Sequence, residues 1–300
     1  MPVKFFSRLL PALLLLAVFA GPGSGGAGTA WHLKSSPHFK VYHEADWAPA
    51  GINLELERLY GRLRMNISSF APWMLKEKVN VYIYRNESAY LNGEFAPARD
   101  TNGLADFSRK TVITYNPGNL GELRAVLAHE LTHLYFESFF GRRGAAPPVW
   151  LNEGLAVMMA DESRGDGGGW AKNLKRLNPE TAASLRQFFA SDPKEINSVT
   201  GRYYWYLQSY GVAAYLFRPQ TRIQFRKLCA LLKRGENTET ALRKAYRIRD
   251  LDEFNKTWLA WVGRYRQDSV NLKSGGAGYG FKPVEFSSIT FGGGFGRAFR

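Results

Sequence analysis

The sequence predicts an α+β fold, with strands in the first third of the chain and helices in the remainder. Two observations carry this. Lys78-Val79-Asn80-Val81-Tyr82-Ile83-Tyr84 alternates, and Lys110-Thr111-Val112-Ile113-Thr114-Tyr115 is rich in β-branched residues, both strand signatures. From Asn119 to about Gln267 the apolar residues recur at helical spacing instead. Strands first and helices afterwards is the α+β order.

A first strand is expected at 38–44, then a helix at 51–68, a strand at 77–84 and a short helix near 87–92. Strands at 103–108 and 110–115 follow. Leu120, Leu123, Leu127, Leu131 and Leu134 place an amphipathic helix at 119–139. Gly118-Asn119 before it and Gly141 after it mark its ends. Pro147-Pro148 forces a break before a second helix at 150–161. Further helices are expected at 181–190, 202–217, 221–234, 238–246 and 251–267. Asp161 to Trp170 is Gly- and charge-rich and reads as a surface loop.

Residues 1–30 read as a secretory signal rather than as part of the fold. Lys4 and Arg8 precede an apolar run from Leu9 to Ala20, too short for a membrane span. Val18-Phe19-Ala20 and Gly28-Thr29-Ala30 offer small-residue cleavage sites, with no cysteine nearby for a lipid anchor. The expected destination is periplasmic or extracellular, for a mature chain with no transmembrane segment. Residues 31–270 are expected to form one large domain, a sheet lobe at about 31–145 and a helical lobe at about 146–270. A flexible tail rich in Gly and aromatics is expected at 271–300.

Cys229 is the only cysteine, which excludes an internal disulfide. Its apolar helical surroundings, Phe225 to Leu232, fit a buried small hydrophobe. The formal charge is +14, and losing Lys4 and Arg8 leaves +12. Much of it lies on late helices, including Arg218, Arg222, Arg226, Lys233 and Arg243. Such residues usually form a solvated face. Their field also favours anionic partners such as an envelope polymer or acidic lipid. No nucleic-acid motif accompanies the charge, and export argues against that partner.

His129-Glu130-Leu131-Thr132-His133 is the most informative segment. Histidines at i and i+4 lie on one helix face, so both imidazoles can reach one metal ion. Glu130 stands beside them. A catalytic zinc usually takes three protein ligands and leaves one position to water. Glu153, twenty residues after His133, can supply the third from a second helix. His32, His38 and His43 lack ligand spacing. His38 and His43 are expected on opposite faces of a strand.

These segments resemble the gluzincins of the peptidase MA-like superfamily. The HExxH motif, Trp150-Leu151-Asn152-Glu153-Gly154-Leu155-Ala156 and the nineteen residues between His133 and Glu153 match the thermolysin-type ligand spacing. The Trp-Leu-Asn-Glu-Gly wording is also similar to the M1 aminopeptidases. A weaker resemblance is visible at His38-Phe39-Lys40-Val41-Tyr42. The resemblance implies a zincin-like fold, with an N-terminal mixed sheet over the active-site helix and a helical C-terminal lobe. An edge strand, here 103–107 or 111–115, is then expected to take substrate backbone by strand addition. It further implies Zn²⁺ held by His129, His133 and Glu153. The implied reaction is hydrolysis of a peptide or protein substrate by a metal-activated water, with Glu130 as general base and then acid.

The developing oxyanion needs another donor. In similar enzymes a tyrosine or histidine from a later helix supplies it, and no histidine follows His133. Tyr206 is the candidate, in Tyr206-Leu207-Gln208-Ser209, which resembles the Tyr-x-x-Gly of the M1 enzymes with Ser209 in place of glycine. Tyr203, Tyr204 and Tyr210 compete with it. No Gly-x-Met-Glu-Asn motif precedes His129, which favours an endopeptidase over an aminopeptidase. Two other readings stand. One is a non-catalytic MA-like cell-envelope binding or scaffolding protein, which would not need Glu130. The other is hydrolysis of peptidoglycan stem peptides.

Overall fold

The computed structural model describes residues 31–44, 51–95, 101–141, 144–164, 169–174, 176–177 and 182–271, with side chains to 264. The expected signal segment and most of the expected tail lie outside the described residues. The described residues belong to one compact unit. Among the described residues the architecture is α+β: a five-stranded sheet with two helices between its strands, then a helical region.

The strands are β1 (Trp31–Ser35), β2 (Phe39–Glu44), β3 (Val79–Tyr84), β4 (Gly103–Asp106) and β5 (Thr111–Tyr115). They form one mixed sheet in the order β1-β2-β3-β5-β4. β2, β3 and β5 run parallel, and β1 and β4 are antiparallel additions at its two sides. Helix α1 (Ile52–Ile67) follows β2 and helix α2 (Glu87–Leu91) follows β3. The alternation of β3 divides its residues between two apolar clusters. Val79, Val81 and Ile83 join the main core with α1 and the helices, while Tyr84 packs with Tyr90 and Ile113.

β1 was not expected. It forms by pairing with β2, and Trp31 packs edge-on against Tyr82 and Tyr84 of β3, a long-range contact that no local pattern encodes. β2 starts at Phe39, so His38 lies just before the strand rather than on its opposite face. β4 ends at Asp106 instead of residue 108. The Asp106 Oδ1 accepts the N–H groups of Ser108 and Arg109, which turns the chain toward β5.

The helical region comprises α3 (Leu120–Phe140), α4 (Val149–Ser163), α5 (Gly169–Leu174), α6 (Leu185–Ala190), α7 (Val199–Leu216), α8 (Arg222–Lys233), α9 (Thr238–Tyr246) and α10 (Leu251–Asn271). Two expectations need correction. The segment expected as a surface loop over 161–170 contains the end of α4 and the start of α5, with 165–168 outside the described residues. Asp161 is buried there and accepts the N–H groups of Trp170 and Ala171, which anchors the first turn of α5. The helix expected from 181 begins only at Leu185, because Ser184 caps it through Gln187 N–H.

α3 is the central element. Asn119 caps its start, accepting from Gly121 and Glu122, and Gly141 ends it at a φ of 68°, where a side chain is strained. Nearly every residue from Leu127 to Glu137 is buried, as befits a helix covered on all sides. An ion pair ties α3 to α1: Arg124 Nε donates to Glu55 Oε2 at 2.7 Å. Among the described residues no helix is long and apolar enough to cross a membrane.

Candidate active site

α3 and α4 cross with their polar residues facing each other inside the core. α3 supplies His129, Glu130, His133 and Glu137, and α4 supplies Asn152 and Glu153. The start of α4 is set by Pro148, whose carbonyl accepts from both Leu151 and Asn152. A third helix, α7, lies against α4 at a close crossing. A Cβ on Gly154 would sit 2.3 Å from the carbonyl oxygen of Ser209 and 2.9 Å from Ala213 Cβ. Only glycine fits at this crossing, which lies next to Glu153.

His129, His133 and Glu153 converge. The two Nε2 atoms are 3.0 Å apart, and Glu153 Oε2 lies 3.6 Å from His129 Nε2 and 3.8 Å from His133 Nε2. All three side chains are buried, and they are the one group of metal-ligating type found among the described residues. His32, His38 and His43 are not part of it. The three atoms surround a common point. Tetrahedral metal bonds of about 2.0–2.1 Å put ligand atoms roughly 3.3 Å apart, and the observed edges bracket that spacing. Glu153 Oε2 is buried without a hydrogen-bond partner, a costly state for a carboxylate oxygen. The donor set therefore fits a divalent cation that takes two imidazoles and a carboxylate.

The electrostatics agree. Burial, then the neighbouring His133, holds the His129 pKa well below its usual value, and burial lowers that of His133 to about 4. Both imidazoles are thus neutral and present lone pairs. Burial raises Glu153 to about 8. It also raises Glu130 well above 4.5, helped by Glu153 and Glu137. Several buried acids with so little countercharge is an arrangement that a bound cation relieves.

Glu130 points past the ligands toward the edge of the sheet. A Cβ on Gly103 of β4 would lie 2.6 Å from Glu130 Cγ and 2.8 Å from its Oε1. The absence of a side chain at Gly103 is what leaves room for the Glu130 carboxylate. Of the two strands expected to form the substrate-side edge, β4 is the outer one and β5 is interior.

Tyr206 is buried on α7 within electrostatic reach of Glu153, Asp192 and Glu130, and burial first, then those carboxylates, pushes its hydroxyl well above 10. Its competitors are placed differently. Tyr203 stacks on Trp170, with ring centroids 5.4 Å apart. Tyr204 is 40% exposed, and Tyr210 is buried. Residues that sequence reasoning missed are Gly103 and the buried pair of Glu137 and Asn152. Glu137 had a readable signal, since it stands at i+4 from His133 on the same helix face. Gly103 had none, because its partner is 27 residues away across the fold.

The fold and the site together define a gluzincin-type protein. Residues 65–264 match the family model of the Peptidase MA superfamily, two thirds of the chain. The protein belongs to that superfamily. A search of curated proteins found no match.

Proposed function

We propose that this protein is an exported zinc-dependent metallopeptidase that cleaves peptide bonds inside a peptide or protein substrate. The observation that carries the reading is the convergence of His129, His133 and Glu153 on one point, with Glu130 beside them and β4 open at the sheet edge. His129, His133 and Glu153 hold the metal. When bound, Zn²⁺ supplies Lewis-acid polarisation and makes water acidic near neutral pH.

The chain supplies the rest. Glu130 takes the proton of the attacking water and returns it to the nitrogen of the leaving amine, as base and then acid. The Tyr206 hydroxyl, held protonated by burial, donates to the developing oxyanion, an interaction stronger in the transition state than in the ground state. The outer edge of β4 binds the substrate backbone as an added strand. Asp106, the one carboxylate of β4, is engaged by Ser108 and Arg109 at the turn, which leaves it unsuited to holding a substrate amine. That supports the endopeptidase reading. Export by residues 1–30 and attraction of the basic helices to an anionic envelope surface complete the proposal.

The test is a peptide-library cleavage profile of the zinc-loaded mature protein together with elemental analysis. About one zinc per chain and cleavage at internal bonds are expected. Full zinc occupancy in His133→Ala would overturn the ligand set. Bound zinc with no cleavage of any peptide would favour a non-catalytic binding protein instead.

A further inference from the structure

Helix α1 turns Leu56, Leu59, Tyr60, Leu63 and Ile67 into the core, and both of its acids are engaged within the fold. Glu55 is bound by Arg124 and Arg58, and Glu57 by Ser36 and His38. The face left to solvent carries Leu54, Arg58, Arg62 and Met65, which recur at helical spacing. Helix α8 repeats the pattern. It buries Phe225, Leu228, Leu231 and Leu232, contains no acid, and exposes Ile223, Arg226 and Lys227.

The two faces adjoin. Arg222 donates to Asn66 Oδ1 at 3.0 Å and to its carbonyl oxygen at 3.4 Å, which ties the first turn of α8 to the last turn of α1. Met65 and Ile223 are the chain neighbours of these two partners. They are also the two most exposed large apolar side chains among the described residues, at 81% and 84%. One acid borders the joint, Glu162 of α4, and Arg222 and Arg62 both act on it.

Single exposed apolar residues are ordinary on a protein surface. Their setting here is not, because the surrounding charges on both helix faces are all positive. Water gains nothing from Leu54, Met65 or Ile223. A soluble polyanion would meet the cations and leave the apolar tips unused. A bilayer rich in acidic lipid uses both, with headgroup charge for the cations and the acyl boundary for the tips. We propose that the joined outward faces of α1 and α8 dock this protein on an anionic lipid surface. Leu54, Met65 and Ile223 enter the boundary between headgroups and acyl chains, and Arg62, Arg226 and Lys227 meet lipid phosphates. The inference rests on the export reading and narrows its anionic partner to lipid, but its readout is vesicle binding rather than peptide cleavage.

The experiment is co-sedimentation of the full mature chain with vesicles of phosphatidylcholine and phosphatidylglycerol. Vesicles of phosphatidylcholine alone and soluble dextran sulfate are the comparison probes. Wild type should sediment with the anionic vesicles and only weakly with the neutral ones. Arg226→Gln with Lys227→Gln should cut anionic vesicle binding roughly 25-fold, at about fivefold for each cation near such a surface. Met65→Gln with Ile223→Gln should cut it roughly tenfold, the scale of losing partial burial of two apolar side chains, and leave dextran sulfate binding unchanged. All four side chains are exposed, so melting temperature and peptide cleavage in solution should match wild type. Vesicle binding that follows charge but ignores Met65 and Ile223 would overturn the inference in favour of a soluble polyanion. A wild-type dimer that Met65→Gln with Ile223→Gln dissociates would overturn it in favour of a second copy of the chain. Cleavage of peptides without binding to anionic vesicles would sink the docking surface and leave the peptidase reading standing. Lipid binding with the expected variant pattern, in a protein that cleaves nothing, would do the reverse.

Discussion

Two regions of this molecule use the same residue types to opposite ends. At the start of β2, Glu57 accepts from Ser36 Oγ at 2.6 Å, from His38 N–H at 3.0 Å and pairs with the His38 ring at 2.7 Å. The His38 ring also stacks on Tyr60. Between α3 and α4, Glu153 faces two histidines at 3.6 and 3.8 Å, and its Oε2 accepts no hydrogen bond. Glu57 is lowered from 4.5 and Glu153 is raised to about 8. The first histidine–glutamate pair is satisfied from within the chain and holds α1 to the sheet. The second is buried, closely gathered and incomplete. A buried polar group left wanting a partner costs free energy, so its persistence points to a ligand outside the chain.

This difference predicts opposite outcomes of substitution. Changes in the α3–α4 site should remove activity with little loss of stability. Changes at the Glu57 pair should cost stability and leave activity alone. The largest effect is expected for Glu130→Gln. Glu130 is not among the three converging ligand atoms, so metal content should hold while turnover falls by about 10²–10⁴. An active Glu130→Gln protein would mean that another group is the base. Tyr206→Phe comes next, because one directed hydrogen bond to an oxyanion is worth roughly 10²-fold in kcat. KM and zinc content should stay close to wild type. Normal turnover would move the role to another α7 tyrosine.

A third substitution probes the helix crossing that holds the site. Gly154→Ala places a Cβ against the backbone of Ser209, and neither partner is a flexible side-chain end. α4 must move away from α7. Overpacking of this kind costs about 1–3 kcal/mol. Glu153 precedes Gly154, and Tyr206 lies one turn before Ser209, so zinc affinity and turnover should both fall along with the melting temperature. This is the one site substitution expected to lose stability as well. A stable, fully active Gly154→Ala protein would show that the crossing has slack.

What was legible in the sequence follows from how local each feature is. The α+β order, β3, β5 and the α3 and α4 helices are written in period-two and helical patterns within single segments. His129, Glu130 and His133 are readable because one helix face brings them together. Glu153 was a candidate third ligand because a catalytic zinc calls for one, and the resemblance to known spacing strengthened it, since it comes from a second helix. β1 and the apposition of Gly103 to Glu130 depend on contacts across the sheet, which no window of sequence contains. α5 was hidden because Gly169, at its start, ends a Gly-rich run of sequence that reads as loop, while the buried Asp161 that receives the backbone of Trp170 and Ala171 lies on another helix. The Asn152 and Glu137 contact was hidden for a related reason, because both residues look like ordinary polar positions until α3 and α4 are crossed.

The smallest effect is expected at the satisfied pair, and it carries a definite pH dependence. Burial alone would raise the Glu57 pKa. The hydrogen bonds from Ser36, from the His38 ring and from the His38 N–H outweigh it and lower the pKa below 4.5. A depressed carboxylate binds fewer protons in the folded chain than in the unfolded one, so stability rises with pH through the interval between the two values. The contribution is complete above pH 4.5 and is lost as the pH falls through the lower, folded value. Glu57→Gln keeps the size but gives up the charged acceptor. At pH 7 it should cost about 1–2 kcal/mol, the scale of hydrogen bonds to a charged group at a part-exposed position. Denaturant unfolding of both proteins from pH 7 downward should show the two curves converging below pH 4.5. Peptide cleavage and zinc content should be unchanged throughout the range where the variant is folded. A constant gap at every pH would mean that Glu57 contributes by shape rather than charge, and loss of zinc in Glu57→Gln would erase the contrast between the two regions.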